Sequence, residues 1–79
     1  MDSSLRTLRK SKEMTLEDVE GALKTQGRSL TVPYLSMLER GLVWPSREVV
    51  DALVELFKGE ITEIEILYPF RAAQEQDNA

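Results

Sequence analysis

Few side chains in this 79-residue sequence could perform covalent or metal chemistry. The chain has no cysteine and no histidine, so thiolate nucleophiles, disulfides and imidazole bases or ligands are all absent. Serine, lysine, tyrosine and carboxylate side chains remain, but no spacing arranges them as a catalytic set. The acidic group Glu60, Glu63 and Glu65 is interpreted as a solvated face. We therefore expect no enzymatic activity, no cofactor and no bound metal.

The charged side chains are divided unevenly along the chain. Although the net charge is −4, residues 1–47 hold eight Lys and Arg against six Asp and Glu. Residues 48–79 hold two basic side chains against eight acidic ones. Because only charge near the phosphates steers binding to nucleic acid, the N-terminal half remains compatible with DNA while the acidic half faces away.

The length and the short apolar runs indicate one small domain outside the membrane. A chain of 79 residues has room for a single compact domain. No apolar run approaches the roughly 20 residues that cross a bilayer, and the N-terminus does not have the pattern of a signal peptide. We expect a domain over residues 1–70 and a flexible polar tail over residues 71–79, in a cytoplasmic protein.

Apolar spacing and capping residues predict an all-α fold with five short helices. The segment over residues 3–12 has an amphipathic pattern whose exposed face would carry Arg6, Arg9, Lys10 and Lys12. Later helices are expected to begin at Thr15, Thr31, Ser46 and Thr62, which are good N-cap residues. Glycines follow three of the predicted helices. No alternating pattern is strong enough to predict a strand.

The second and third predicted helices, joined by a turn, have the plan of a helix-turn-helix. The third reads Val-Pro-Tyr-Leu-Ser-Met-Leu-Glu-Arg-Gly over residues 32–41 and is followed by Pro45-Ser46. This string resembles the Cro/C1-type (XRE, lambda-repressor-like) family, whose recognition helix typically runs pyLSxlErG with PS a few residues later. The resemblance covers roughly residues 4–68. It implies a five-helix lambda-repressor-like domain with its helix-turn-helix over about residues 15–41.

Two features depart from the family pattern. The segment from Thr15 to Gly41 is about five residues longer than the usual spacing. The extra length falls within residues 22–29, so the second helix or the turn must be extended. In addition, Leu16, Val32 and Pro33 stand where many members place polar residues that read bases.

The resemblance implies a set of DNA-contacting residues. Thr31 and Ser36 would hydrogen-bond base edges or phosphates, and Arg40 would bind a phosphate. Tyr34 is expected either at a phosphate or packed on the second helix. Apolar contacts and an arginine in the enlarged turn would supply the remaining sequence preference. The complete set is Thr15, Leu16, Arg28, Thr31, Val32, Pro33, Tyr34, Ser36, Met37 and Arg40.

The last predicted helix carries more apolar side chains than one narrow stripe can bury. Ile61 and Ile66 can turn inward, which leaves a surplus that suggests self-association; its members are Ile64, Leu67, Tyr68 and Phe70. The resemblance implies a homodimer with recognition helices about 34 Å apart on a palindromic operator. The alternative is that Phe70 folds back and completes a monomeric core. Trp44 is expected to pack over the corner between the third and fourth helices, with DNA-backbone contact as the alternative.

Together these observations predict a sequence-selective regulator of transcription that binds double-stranded DNA. The resemblance implies a bacterial or phage-encoded repressor that associates with the nucleoid when bound. The alternative is the same fold used as a protein-interaction module, such as an antirepressor or antitoxin. In that case the surface over residues 32–34 or the acidic C-terminal half would bind another protein.

Overall fold

Each helix of the domain begins directly after a serine or threonine that caps it. The computed structural model describes residues 2–70, in which there is no strand. Its helices are α1 (Ser4–Ser11), α2 (Leu16–Thr25), α3 (Val32–Glu39), α4 (Arg47–Leu56) and α5 (Glu63–Leu67). The all-α prediction with five helices is therefore confirmed. The predicted tail, residues 71–79, lies outside the described residues.

The helix starts lie where the capping residues predict them. The five N-caps have extended backbone, and each hydroxyl accepts a hydrogen bond from an amide three residues further on; they are Ser3, Thr15, Thr31, Ser46 and Thr62. Such a bond satisfies one of the amides that the first helical turn leaves without a partner. Thr15 with Asp18, and Thr62 with Glu65, form complete capping boxes.

The core is built from the apolar stripes of all five helices. Helix α1 packs against α3 and α5, α2 packs against α3 and α4, and α4 packs against α5. The buried apolar residues are Leu5, Val19, Leu23, Leu35, Leu38, Val50, Ala52, Leu53, Phe57, Ile61 and Ile66. Burial of Ile61 and Ile66 agrees with the inward orientation expected from the sequence. Among residues 2–70, no helix is long and apolar enough to cross a membrane.

Gly41, which follows α3, lies against the segment after α5. Its φ of +71° lies in the left-handed region that glycine adopts without steric cost. The ring of Phe70 would lie only 3.3 Å from a Cβ atom at this position. Phe70 is half-buried there, so it does fold back over the end of α3, while part of its surface stays accessible.

Candidate nucleic-acid interface

The connection between α2 and α3 is long, and side chains from both helices stabilise it. Helix α2 ends at Thr25 and α3 begins at Val32, which leaves six residues between them. Within this connection Leu30 packs against the core. The Glu20 carboxylate of α2 accepts a hydrogen bond of 3.1 Å from the backbone N–H of Val32. Helix α2 therefore supports the start of α3 in spite of the enlarged turn.

A buried ion pair fixes the inner face of α3 to α1. The Arg9 guanidinium donates to both oxygens of Glu39, with Nε–Oε2 and Nη2–Oε1 distances of 2.6 and 3.0 Å. It also donates to the carbonyl of Met14 at 2.7 Å. The side chains of Arg9 and Glu39 are only 12% and 5% exposed. The hydrogen bond to Glu39 raises the pKa of Arg9 above its ordinary value.

This ion pair corrects the expectation that Arg9 lies on an exposed basic face of α1. Arg9 does not lie on an exposed basic face of α1, because its side chain turns inward to meet Glu39. The amphipathic pattern of α1 could not show this, because the partner lies thirty residues further along the chain.

The opposite face of α3 carries most of the predicted DNA-contacting residues. Thr31, Pro33 and Arg40 are exposed, whereas Val32, Ser36 and Met37 are half-buried. Tyr34 is half-buried too, and its side chain packs against the core. The residues that point inward are Leu35, Leu38 and Glu39. Helix α3 thus has one buried face and one accessible face.

The N-terminus of α2 is capped by a carboxylate of the same helix, that of Asp18. The Thr15 hydroxyl accepts from the Asp18 amide at 3.1 Å, and the Thr15 amide donates to the Asp18 carboxylate at 2.9 Å. The backbone hydrogen bond from Thr15, together with the bond to its side chain, lowers the pKa of Asp18. The Leu16 side chain packs against the core, which leaves its backbone amide as the group that could meet DNA.

Most basic side chains in the described residues form ion pairs within the protein. Arg6 and Lys10 lie 3.7 and 3.8 Å from Asp2, and Lys12 lies 2.7 Å from Glu60. The basic side chains on and directly after α1 therefore all have acidic partners within the protein.

Arg28 is directed toward α4. Its guanidinium lies 3.3 Å from the Glu55 carboxylate and donates to the Glu48 carbonyl at 3.4 Å. Its Nε is buried without a hydrogen-bond partner among residues 2–70. A contact with DNA would require the guanidinium to leave these partners.

Three cations form no ion pair with another described residue, namely Lys24, Arg40 and Lys58. Arg40 follows the last turn of α3, and Lys24 lies in the last turn of α2. Two of the three available cations therefore belong to the helix-turn-helix. Sequence reasoning did not single out Lys24, because only the structure distinguishes it from the basic residues that are already paired.

An exposed apolar surface is formed by the segment after α3 together with α5 and the residue that follows it. We call it the α5 surface and define it by its exposed members, which are Leu42, Trp44, Ile64 and Tyr68, at 59%, 65%, 60% and 37% exposure. The rings of Trp44 and Tyr68 meet edge to face with centroids 5.3 Å apart. Leu67 and Phe70 are half-buried beside them. Trp44 therefore contacts the residue that ends α5 and stays largely exposed, and the sequence did not predict this contact.

The described acidic residues do not assemble a metal site. No group of three or more Asp and Glu side chains between residues 2 and 70 is arranged to hold an ion. The acidic residues around α5 are partly engaged in capping and pairing, since Glu65 caps Thr62 and Glu60 pairs with Lys12. This part of the molecule therefore offers charge but no ligand geometry.

Comparison with known proteins agrees with this geometry. Neither the curated proteins nor the solved structures gave a match to the chain. A family model described as helix-turn-helix matches residues 5–64, which span all of α2, α3 and α4, nearly all of α1 and the start of α5. Because that match covers well over half of the sequence, this chain belongs to the Cro/C1-type helix-turn-helix family of DNA-binding proteins.

Proposed function

We propose that this protein is a sequence-selective transcriptional repressor that places α3 in the major groove of double-stranded DNA. The observation that carries the proposal is the division of α3 into two faces. One face is fixed by Leu35, Leu38 and the Arg9–Glu39 pair. The other face is accessible and ends at Arg40, a cation with no ion-pair partner among the described residues.

The accessible face suggests how sequence would be read. Thr31 and Ser36 offer hydroxyls to base edges or phosphates, while Val32, Pro33 and Met37 offer apolar contacts such as those to thymine methyl groups. Thr15 and Leu16 would approach a phosphate through the start of α2, and Tyr34 and Arg40 would bind phosphates beside the groove. Because few of these groups form paired hydrogen bonds with a base, sequence-dependent DNA shape would supply much of the preference.

We further propose that two copies of the chain pair through the α5 surface. Its four exposed apolar side chains form a patch of the kind that marks an interaction site. Arg47, Asp51 and Glu63 border it next to Trp44 and Leu67, so both signs of charge occur on one edge. Such an edge can pair with a symmetry-related copy of itself. The interface would include Ile64, Leu67, Tyr68 and Phe70, and the dimer would bind a palindromic operator.

A salt titration tests the DNA-binding proposal. Binding to a random-sequence 30-base-pair duplex should weaken steeply with salt, with log K falling by about 0.9 per neutralised phosphate. Arg40→Ala should weaken binding to all duplexes and reduce the slope by about 1. Lys58→Ala is the matched control, since Lys58 is also exposed and unpaired among the described residues but lies after α4. An Arg40→Ala protein with unchanged affinity would contradict the docking geometry.

The alternative function is a protein-interaction module that uses the same fold. The overall charge of −4 and the exposed Leu42 and Trp44 favour this reading over an enzyme. A module of this kind would show no measurable affinity for duplex DNA even at low salt. Retention of the random duplex at low salt, lost as salt is raised, would exclude it.

A further inference from the structure

The backbone N–H groups of the first turn of α3, residues 32–35, form hydrogen bonds within the protein. The first helical turn normally leaves several backbone N–H groups without partners. Here the Val32 N–H donates to Glu20, Pro33 has no N–H, and the Tyr34 N–H donates to the Thr31 hydroxyl at 3.3 Å. The Leu35 N–H donates to the Thr31 carbonyl at 2.9 Å. The N–H groups of Val32, Tyr34 and Leu35 are therefore already used within the protein.

Of the hydrogen bonds just described at the start of α3, the one to Glu20 comes from another helix. Thr31 caps α3 locally, as its sequence position predicts, whereas Glu20 reaches across twelve residues from α2. The Glu20 side chain is half-buried and forms no ion pair with a described cation. Its carboxylate therefore interacts with the positive end of α3, where a negative charge is favourable. This hydrogen bond links α2 to the start of α3 across the enlarged turn.

We infer that Glu20 is a positioning residue for the recognition helix. Its hydrogen bond to the Val32 amide holds the start of α3 at a fixed distance from α2, in place of the tighter connection that a shorter turn would give. Thr31, Val32 and Pro33 lie directly at the point that Glu20 holds. Positioning of this end therefore governs how those three residues meet a base. The consequence for DNA rests on the proposed function, whereas the contact itself does not.

The charge of Glu20 and its role as an acceptor have opposite effects on DNA binding. The acceptor fixes the helix that reads sequence. The negative charge lies at the end of α3 that would approach the phosphates, where it repels them. Replacement by glutamine separates the two effects, since the amide oxygen can still accept from Val32. Replacement by alanine removes both the charge and the acceptor.

Amide hydrogen exchange in the free protein tests the contact without DNA. The Val32 N–H should exchange about tenfold faster in Glu20→Ala than in wild type, because one hydrogen bond to a charged acceptor is lost. In Glu20→Gln its protection should be largely retained. Leu53, buried in α4, reports global unfolding, so its protection separates a local effect from a loss of stability. Glu17→Ala is the matched control, because Glu17 is an exposed carboxylate on the same helix.

Binding measurements then test the consequence for sequence reading. The probes are a duplex selected from a random pool with the wild-type protein and an unselected duplex of equal length. Glu20→Ala should lower the preference for the selected duplex by about tenfold. Glu20→Gln should keep the preference within about twofold and bind both duplexes at least as tightly as wild type. Glu17→Ala should leave the preference unchanged.

The outcomes separate this inference from the proposed function. A Val32 amide that exchanges equally fast in wild type and Glu20→Ala would overturn the inference, as would Glu20→Gln behaving like Glu20→Ala. An intact preference in Glu20→Ala would overturn it as well. If the wild-type protein selects no duplex at all, the proposed function fails, while exchange at Val32 still decides whether Glu20 holds α3.

Discussion

The helix-turn-helix and the α5 surface differ in which of their side chains have partners within the protein. The contrast is between polar groups that are paired and apolar groups that are exposed. Around α3, polar groups interact with each other inside the protein. Arg9 forms an ion pair with Glu39, and the Glu20 carboxylate accepts a hydrogen bond from the Val32 N–H. Around α5, apolar groups remain uncovered, with Trp44 and Ile64 each more than half exposed. The first arrangement fixes the position of a helix, and the second leaves apolar area that a partner could bury. We infer that one region positions residues and the other associates.

The largest expected effect is the loss of the ion pair that fixes α3. Glu39→Ala leaves the Arg9 guanidinium largely buried without its carboxylate, and removal of one partner of a buried pair costs about 3–5 kcal/mol. We expect the free energy of unfolding to fall by about this amount in urea titrations. In a domain of this size, such a loss removes much of the total stability.

An exposed ion pair between the end of α1 and the segment before α5 provides the control. Lys12 and Glu60 are separated by 2.7 Å, but their side chains are 38% and 51% exposed. Glu60→Ala should therefore change the free energy of unfolding by less than about 1 kcal/mol. Equal losses in the Glu39 and Glu60 variants would show that the Arg9–Glu39 pair has no special role. Replacement of both partners, as in Arg9→Met with Glu39→Leu, should recover much of the stability.

The next prediction concerns the α5 surface. Ile64→Glu adds a charge to the α5 surface, and association through this surface would have to bury that charge. Light scattering should give about twice the chain mass of 9.0 kDa for wild type and the mass of one chain for Ile64→Glu. The free energy of unfolding of the monomer should change little, because Ile64 is 60% exposed. A wild-type protein that stays monomeric at high concentration would contradict the dimer proposal.

Two capping boxes allow a finer comparison of the regions. Thr15→Ala and Thr62→Ala should each lower the free energy of unfolding by about 1 kcal/mol, as the loss of an N-cap hydroxyl typically does. Thr62 caps α5, a helix of five residues that carries Ile64. We therefore expect Thr62→Ala also to weaken association, and Thr15→Ala to leave it unchanged. Sedimentation at several concentrations measures both. Equal effects of the two changes on association would contradict the division into two regions.

The smallest predicted effect is a dependence of stability on pH at Asp18. The hydrogen bonds from Thr15 lower the pKa of this carboxylate from its ordinary value of 3.8. Asp18 therefore adds stability above that value, and the contribution is lost as the pH falls through the lowered pKa of the folded state. The urea midpoint of unfolding should be measured at neutral pH and at acid pH. It should fall slightly less on acidification in Asp18→Asn than in wild type. A larger fall of the unfolding midpoint in the variant would contradict the inference that ionised Asp18 stabilises the folded state.

Sequence reasoning succeeded where the signal is local. The hydroxyls of Thr15 and Thr31 cap helices because a cap bonds to an amide only three residues away. The string over residues 32–41 identified the family that the family model confirms. The same reasoning failed for Arg9 and missed the contact between Trp44 and Tyr68, because each residue meets a partner from a distant part of the chain. The predicted DNA and dimer contacts stay predictions.

The sequence by itself determined the helices, their caps and the family, because hydrophobic periodicity and capping act over a few neighbouring residues. Only the tertiary structure decided which charges remain available. Arg9 and Arg40 cannot be distinguished as arginines in the sequence, yet one is buried against Glu39 and the other is exposed. The structure also decided that Glu20 reaches Val32 across the enlarged turn. Ion pairs and hydrogen bonds between helices depend on how the chain folds back on itself, and that packing follows from the whole core rather than from any short segment.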